Sequence, residues 1–451
     1  MIKIASFIVF VGAASALAVF IVNEPGHVEI EWGEWLITTS PGALAAGIVL
    51  ILCIAIFLWQ IFRWLLKGPS DLARVRHMNR QRRGYRALTH GFVSAAAGDG
   101  IRARRLAKRA KTLLNEQSLT LLLSAQAAQL EGDERMAADF FKLMLGRAET
   151  EFLGLRGLLI YARQAGEHKQ AREISERAYR IRPDVEWVLT ALIELRARDG
   201  DYLGALKVLK DLKRNSLIGE DLGRRRRAAL LVEASNQAKR IGDDLEAQRL
   251  ASRAADADPD FVPAAISAAE ISLALERPNA AARVIERCWR SNPHPILATT
   301  YRNIISNKDA LAQMKRFERL AMLSPDHPES HIVLASAALE AKLWGPARKH
   351  LLSASKKDPN ARVYRLLARL EVDENNNNSA AHDWLLKASE ALPEKVWQCK
   401  SCGTSHPVWS IICSSCAALD TIVWGAPSLG VGILDEGTHK NAEIFMEKVG
   451  R

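Results

Sequence analysis

Four cysteines near the C-terminus are the residues whose type and spacing best suit chemistry. Cys399 and Cys402 form one Cys-x-x-Cys pair, and Cys413 and Cys416 form a second pair after a spacer of ten residues. Each pair directs two sulfurs at one ion, and four thiolates suit Zn²⁺, although Fe also fits a set of four sulfurs. Because all four positions are filled, the spacing predicts a closed structural metal site rather than a catalytic one.

Two alternatives to a zinc site stay open, namely free or redox-active thiols and an iron electron carrier. Covalent haem attachment is not indicated, because the pattern Cys-x-x-Cys-His does not occur in the sequence. Residues 396–425, here called the ribbon, are too few to build a core without metal. Trp397, Trp409 and Trp424 are expected to pack it. Residues 426–451 are expected to form a flexible tail.

The ribbon follows a long series of repeats. A glycine followed by an acidic residue recurs every 34 residues, at Gly98, Gly132, Gly166 and Gly200, and an alanine follows each glycine by five residues. Prolines continue the series at Pro259, Pro293, Pro325, Pro359 and Pro393. A 34-residue period is that of the tetratricopeptide repeat, a helix–turn–helix unit. The period predicts an all-α solenoid of about nine repeats over residues 84–395.

Repeats of this kind share one core with their neighbours and offer a concave groove to peptides or proteins. Protein partners are therefore expected. Residues 224–227 are four consecutive arginines, which indicate either a docking patch for an acidic partner or a solvated helix face. Residues 375–378 are four asparagines and are expected to form a turn between helices.

Two apolar runs precede the repeats. Residues 43–62 contain no charged side chain, and about 20 apolar residues cross a membrane as a helix. Residues 4–22 form the other run, which is expected to be a second span, with a cleaved signal peptide as the alternative. Residues 23–42 between them lack Lys and Arg, as is typical of a translocated loop, and their alternating pattern predicts a short β-hairpin.

The basic residues are concentrated behind the second run. Between residues 67 and 111 the chain has thirteen Lys or Arg against two Asp, an excess equal to the formal net charge of the whole chain, +11. The rest of the chain is neutral on balance, so the charge does not indicate nucleic-acid binding. By the positive-inside rule this segment is cytoplasmic and close to membrane lipid. The sequence thus predicts a multi-pass inner-membrane protein whose bulk is cytoplasmic.

Patterns of catalysis are missing from the sequence. It contains no Walker A motif, and Gly430 and Gly432 lack the third glycine of a dinucleotide fingerprint. His331 and His350 stand alone on predicted helices, and Cys288 replaces a repeat alanine, so all three are expected to be surface or packing residues. No catalytic residue is predicted, and the residues point to binding rather than enzymatic activity.

The two spans, the loop of residues 25–40 (PGHVEIEWGEWLITTS), the basic segment and the repeats together resemble the bacterial HemY family of membrane-anchored tetratricopeptide proteins. This resemblance implies an inner-membrane scaffold that binds partner proteins, among them enzymes of late haem or porphyrin biosynthesis. A haem or porphyrin ligand is compatible with the resemblance, but the residues themselves do not indicate one.

The ribbon is similar to the rubredoxin-like module of the membrane-anchored repeat protein that controls lipopolysaccharide synthesis through a membrane protease. That resemblance implies the alternative function, an adaptor regulating a membrane protease. The predicted organisation is a membrane hairpin (1–66), a basic juxtamembrane segment (67–83), the repeats (84–395), the ribbon (396–425) and the tail (426–451).

Overall fold

The computed structural model describes residues 28–33, 35–114, 117–304 and 309–427. The described chain is all-α apart from a short N-terminal hairpin and a small C-terminal sheet, which confirms the predicted fold class. It divides into two compact units, Met1–Glu131 and Gly132–Arg451.

A β-hairpin begins the described part of the first unit. Strand β1 (Val28–Trp32) pairs antiparallel with β2 (Trp35–Thr39), as the alternating sequence predicts. The turn contains Gly33, whose φ of 67° is in the left-handed region that glycine adopts without steric cost.

Helix α1 (Pro41–Ala96) follows the hairpin and is 56 residues long. Its start is set by Ser40, whose side chain accepts a hydrogen bond from the Ala43 N–H, and by Pro41 in the first turn. The segment Pro41–Phe62 is long and apolar enough to cross a membrane, and within the described residues it is the one helix that is. The other predicted span, residues 4–22, lies outside the described residues. The predicted boundaries at 66/67 and 83/84 fall inside this one helix.

The rest of the first unit consists of α2 (Gly100–Leu113) and α3 (Gln117–Leu130). Both contact α1. Small residues allow this close approach, because Ala103, Ala107 and Ala110 of α2 are almost fully buried. A Cβ at Gly84 of α1 would lie 2.4 Å from the side chain of Leu114.

The second unit contains fifteen described helices and the ribbon. The helices are α4 (Glu134–Met144), α5 (Ala148–Gln164), α6 (His168–Ile181), α7 (Glu186–Arg198), α8 (Tyr202–Arg214), α9 (Glu220–Arg240), α10 (Asp244–Ala257), α11 (Val262–Ala274), α12 (Pro278–Ser291), α13 (Pro295–Asn303), α14 (Ala310–Ala321), α15 (Pro328–Glu340), α16 (Trp344–Lys357), α17 (Ala361–Asn375) and α18 (Asn378–Glu390). From α5 onward they form seven consecutive pairs, the pattern that the 34-residue period predicts.

Glycine and aspartate have separate roles in the repeat turns. Gly200 has φ 78°, and the next residue, Asp201, caps the second helix by accepting a hydrogen bond from the Gly204 N–H. Asp243 caps α10 in the same way after Gly242, which follows Gly200 by 42 residues rather than by 34. The recurring glycine thus forms the turn, and the acidic residue that follows it caps the next helix.

Later turns replace glycine with other residues in the left-handed region. Glu276, Lys342 and Asn376 have φ between 51° and 56°. Asn376 ends α17, and the Asn377 side chain then accepts from the Ala380 N–H to begin α18, which confirms the predicted asparagine turn.

From the third pair onward, the first helix of each pair, an odd-numbered one, also contacts the first helix of the next pair. Such contacts join α9 to α11, α11 to α13, α13 to α15 and α15 to α17. The odd-numbered helices thus share one surface, here called the first-helix face. After α18 the chain forms a three-stranded antiparallel sheet in the order β4-β3-β5, from β3 (Val396–Cys399), β4 (Ser405–His406) and β5 (Ile422–Gly425).

Candidate metal centre

The four predicted cysteine sulfurs converge in the ribbon. All four Sγ atoms lie within 4.8 Å of one another, with 3.7 Å from Cys399 to Cys416 and 3.7 Å from Cys402 to Cys413. A tetrahedral zinc ion with Zn–S bonds of about 2.3 Å holds its sulfurs about 3.8 Å apart. Among the described residues this is the one such group of three or more metal-ligating side chains. The donor set and its spacing therefore fit one metal ion.

The same backbone turn builds both halves of the site. The Gly403 N–H donates to the Cys399 carbonyl at 2.8 Å, and the Ala417 N–H donates to the Cys413 carbonyl at 2.9 Å. Gly403 and Ala417 both have a left-handed φ, 74° and 56°. Glycine adopts this conformation without steric cost in the first loop, whereas in the second loop an alanine, which has a Cβ atom, adopts it.

Polar side chains surround the sulfurs. Thr421 Oγ1 lies 3.1 Å from Cys399 Sγ, Thr404 Oγ1 lies 3.2 Å from Cys402 Sγ, and His406 Nε2 lies 3.3 Å from Cys413 Sγ. Hydrogen bonding with the side chain and backbone of Thr404 lowers the pKa of Cys402 to about 6. Burial raises the pKa of Cys416, in the same cluster, to about 12. Because the thiolate is the form that binds metal, Cys402 is closer to the metal-binding form than Cys416 is.

One carboxylate attaches the ribbon to α9. The side chain of Asp420 is only 3% exposed and lies between two guanidinium groups, 3.6 Å from Arg225 and 3.8 Å from Arg226. The pKa of Asp420 is raised overall, because the effect of burial is larger than the opposing effect of the two arginines. A buried carboxylate needs such partners, because an unpaired charge is costly to remove from water.

Two hydrogen bonds, in addition to these ion pairs, hold the ribbon on the repeats. Glu233 of α9, itself buried, accepts from the Ile411 N–H at 3.1 Å. Arg198 at the end of α7 donates to the Ala417 carbonyl at 2.8 Å. Ile411 and Ala417 flank the second cysteine pair, so both bonds position the loop that carries half of the metal site.

Aromatic side chains complete the contact. His294 at the start of α13 lies against Trp397 and Trp424, with ring centroids 5.5 and 4.3 Å apart. Trp409 packs edge-on against Phe261 at 5.1 Å. These tryptophans pack the ribbon, as predicted, but they do so against the repeats rather than around a separate core.

Comparisons with known proteins identify the two parts of the chain. Residues 26–132 match the family model described as the HemY protein N-terminus, and residues 307–370 match a tetratricopeptide repeat model. The chain therefore contains one segment similar to the HemY N-terminus and one segment similar to tetratricopeptide repeats. The HemY match ends one residue beyond the first compact unit.

Three known proteins are similar to all or part of this chain. The probable magnetosome protein Mms48 of Magnetospirillum gryphiswaldense is 25% identical over 440 residues, covering 94% of this chain and 93% of that protein. The structure of Naa15/Naa10 bound to HypK-THB has a TM-score of 0.39 at 15% identity, and the match covers 74% of this chain and 58% of that chain. A tetratricopeptide repeat protein from Parabacteroides merdae has a TM-score of 0.26 at 13% identity, over 61% and 94% of the two chains.

The run of four arginines serves two different roles. Arg225 and Arg226 face the ribbon, whereas Arg224 and Arg227 are exposed, and Arg224 pairs with Asp221 of its own helix. The sequence offered a docking patch or a solvated face as alternatives. The structure divides the run between them, and the observed acidic partner is the chain itself.

Two other predictions concern single side chains. Cys288 is buried in the repeat core, as expected, and burial raises the pKa of its thiol to about 12. The expectation that His331 and His350 stand alone is wrong, because their Nδ1 atoms lie 3.2 Å apart between α15 and α16. Residues three to five positions apart on one helix can be matched from sequence, but a contact between two helices cannot.

Proposed function

We propose that this chain is a non-enzymatic scaffold that holds partner proteins at the bacterial inner membrane. The observation that carries the proposal is the joining of an apolar helix of spanning length, Pro41–Phe62, to a series of tetratricopeptide-repeat helix pairs in one chain. Repeat arrays present extended surfaces that bind peptides and proteins. A membrane anchor would confine the bound proteins to the membrane surface.

The proposed topology follows from charge. The basic residues after residue 67 place the C-terminal side of α1 in the cytoplasm, and the Glu-containing β1–β2 hairpin lies on the opposite side. Residues 4–22 would supply a second span and make the protein multi-pass. In this arrangement the C-terminal part of α1 and the repeats that follow it in the chain lie in the cytoplasm.

The ribbon is proposed to bind one Zn²⁺ through Cys399, Cys402, Cys413 and Cys416. The sulfur spacing supports this assignment, and four protein thiolates leave no open coordination position for a substrate. The ion would therefore stabilise the fold. Fe in the same site is the alternative, and it would favour electron transfer over scaffolding.

The partners are proposed to be membrane-associated proteins of one pathway. The HemY N-terminus favours enzymes of late haem or porphyrin biosynthesis. The name of the relative Mms48 favours magnetosome proteins where an organism makes that compartment. The ribbon favours a third group, the membrane protease and its client, for the adaptor function.

Crosslinking in intact membranes tests the proposal. The tagged full-length chain is crosslinked in cells, extracted in detergent and purified, and the captured proteins are identified by mass spectrometry against an untagged strain. We expect a small set of enriched proteins. Haem enzymes together with porphyrin imbalance on deletion support the first assignment, and a protease with a stabilised client supports the adaptor.

Absence of any reproducibly enriched protein would contradict the scaffold function. Stoichiometric iron with redox activity in the purified chain would contradict the non-enzymatic assignment. These two results are independent, because the first concerns the repeats and the second concerns the ribbon.

A further inference from the structure

Each of the polar and aromatic contacts described above joins the ribbon to the first helix of a repeat pair. Arg198 belongs to α7 and Glu233 to α9, while Phe261 and His294 are the N-cap residues of α11 and α13. Four consecutive repeats thus take part. The ribbon lies across the first-helix face, on the surface that the repeats would offer to a partner.

The contact combines a carboxylate with aromatic side chains. Asp420 sits between Arg225 and Arg226, and four residues later Trp424 lies on His294. A short acidic and aromatic segment of the ribbon therefore occupies a matching basic and aromatic surface. An external segment with the same two features would find the same complementary groups.

The metal ligands and the docking residues lie on the same short segments. Trp397 and Ile411 each precede a cysteine ligand by two residues, and Asp420 follows Cys416 by four. Without the metal ion the cysteine loops cannot hold these neighbouring residues in place, because so short a ribbon folds only when its ion is bound. Metal binding and docking consequently reinforce each other, and by linkage each raises the affinity of the other.

We propose that the ribbon is the internal occupant of the first-helix face from α7 to α13, and that loss of its metal uncovers a docking surface for a partner segment that carries a carboxylate close to an aromatic side chain. This inference rests on the proposed scaffold function and specifies the partner and the regulation. In the metal-bound protein the surface is closed. In the metal-free protein Arg225, Arg226 and His294 become available.

Chelator competition on the full-length protein tests the coupling. The detergent-solubilised chain is loaded with zinc and titrated with a chromophoric chelator. We expect the double variant Arg225→Gln/Arg226→Gln to lose zinc at least tenfold more readily than the natural chain. The matched control is Arg224→Gln/Arg227→Gln, which removes the same charge from the same run and should leave the affinity within twofold. Equal affinity in both double variants would overturn the coupling.

Peptide binding tests the uncovered surface. The probe is a fluorescent peptide of residues 419–425 (LDTIVWG), which contains Asp420 and Trp424. We expect it to bind the full-length chain after zinc removal, or the Cys413→Ser variant, at least tenfold more tightly than the zinc-loaded chain. Binding should fall when the peptide carries Asn in place of Asp420, or when the protein carries Arg225→Gln/Arg226→Gln.

Equal binding to the zinc-loaded and zinc-free chains, or no binding to either, would overturn the proposal. Circular dichroism of each variant confirms that the helices remain. Failure of this proposal can be distinguished from failure of the scaffold function. If the crosslinked partners are captured equally from the zinc-loaded and zinc-free chains and from the Arg225→Gln/Arg226→Gln variant, the scaffold stands and the metal-controlled surface is wrong.

Discussion

The repeats and the ribbon of the second unit bury their apolar surface in different ways. In the repeats, small residues such as Ala171, Ala205 and Ala254 are fully buried where helices meet, and each pair packs on its neighbours. In the ribbon, large residues such as Trp397 and Trp409 fill the interior, and they belong to the same apolar cluster as the repeat helices.

The difference shows which part of the molecule depends on the other. A helix pair obtains its stability from two adjacent pairs, so a defect in one pair remains local. With the proposed metal ion bound, the ribbon would obtain its stability from that ion and from α7, α9, α11 and α13, so it should respond to a change in either. We therefore expect substitutions in the ribbon to act on the metal and substitutions in the repeats to act on the helices.

The largest expected effect is loss of the metal from the Cys413→Ser variant. Removing one of four thiolates should reduce the metal content from about one ion per chain to about zero and expose the ribbon to proteolysis, whereas the helical ellipticity should be mostly retained. Elemental analysis of protein purified without added metal measures the content. Cys288→Ser is the control, because Cys288 is buried in the repeats and belongs to no cluster of ligands.

Metal retention in Cys413→Ser would show that the four sulfurs do not act as one site. Iron at one ion per chain, with a visible thiolate-to-iron absorption band, would instead show that the ribbon is an electron carrier. Either result would break the contrast between a structural ribbon and a binding array.

A second effect is expected in the repeats alone. A Cβ at Gly154 of α5 would lie 2.8 Å from the Phe141 carbonyl oxygen of α4, so Gly154→Ala should destabilise the second unit by about 2–3 kcal/mol. Denaturant unfolding followed by circular dichroism measures the change. The metal content should not fall, because α5 makes none of the polar or aromatic contacts with the ribbon described above.

The control for this substitution is Gly345→Ala in α16. A Cβ at Gly345 meets nothing within 4 Å, and alanine favours a helix over glycine. We expect unchanged or slightly higher stability. A loss of metal in Gly154→Ala would refute the view that defects in the repeats remain local.

The smallest expected effect is a pH dependence at the contact between the two regions. Burial against Trp397 and Trp424, with a further contribution from Arg362, lowers the pKa of His294 from 6.5 to about 4. A histidine whose pKa is lowered in the folded state favours folding when it is deprotonated, which for histidine is the neutral form. The stability it contributes is therefore complete above pH 6.5 and is lost as the pH falls toward 4, by about 2 kcal/mol between pH 7 and 5.

His294→Asn isolates this contribution, because asparagine retains an acceptor for the Ile296 N–H that His294 caps. Asp420 and Glu233 have raised pKa values from burial, so they act in the opposite direction and lose stability as the pH rises. Both carboxyl groups are present in the natural chain and in His294→Asn, so their effect cancels when the pH profiles of these two proteins are compared. The natural chain should lose stability more steeply than His294→Asn from pH 7 to 5, and parallel pH profiles would contradict the prediction.

The parts of the fold that the sequence predicts are those built from short-range interactions. A turn glycine, a buried alanine five residues later and a Cys-x-x-Cys loop each act within one turn of chain, so their spacing repeats and can be recognised. The β1–β2 hairpin and the apolar part of α1 are predicted for the same reason, since alternation and continuous apolarity are local patterns.

The amino-acid sequence by itself therefore determined the repeat fold, a helix long and apolar enough to cross a membrane, and a set of four cysteines whose sulfurs converge. Only the tertiary structure decided that Asp420 meets Arg225 and Arg226, that Glu233 binds the Ile411 N–H, and that the ribbon lies on the first-helix face. These pairs are distant in the chain and occur once, so no period marks them. They form because the solenoid brings four first helices side by side, and a ribbon too small to bury its own tryptophans is stable only where such a surface covers them.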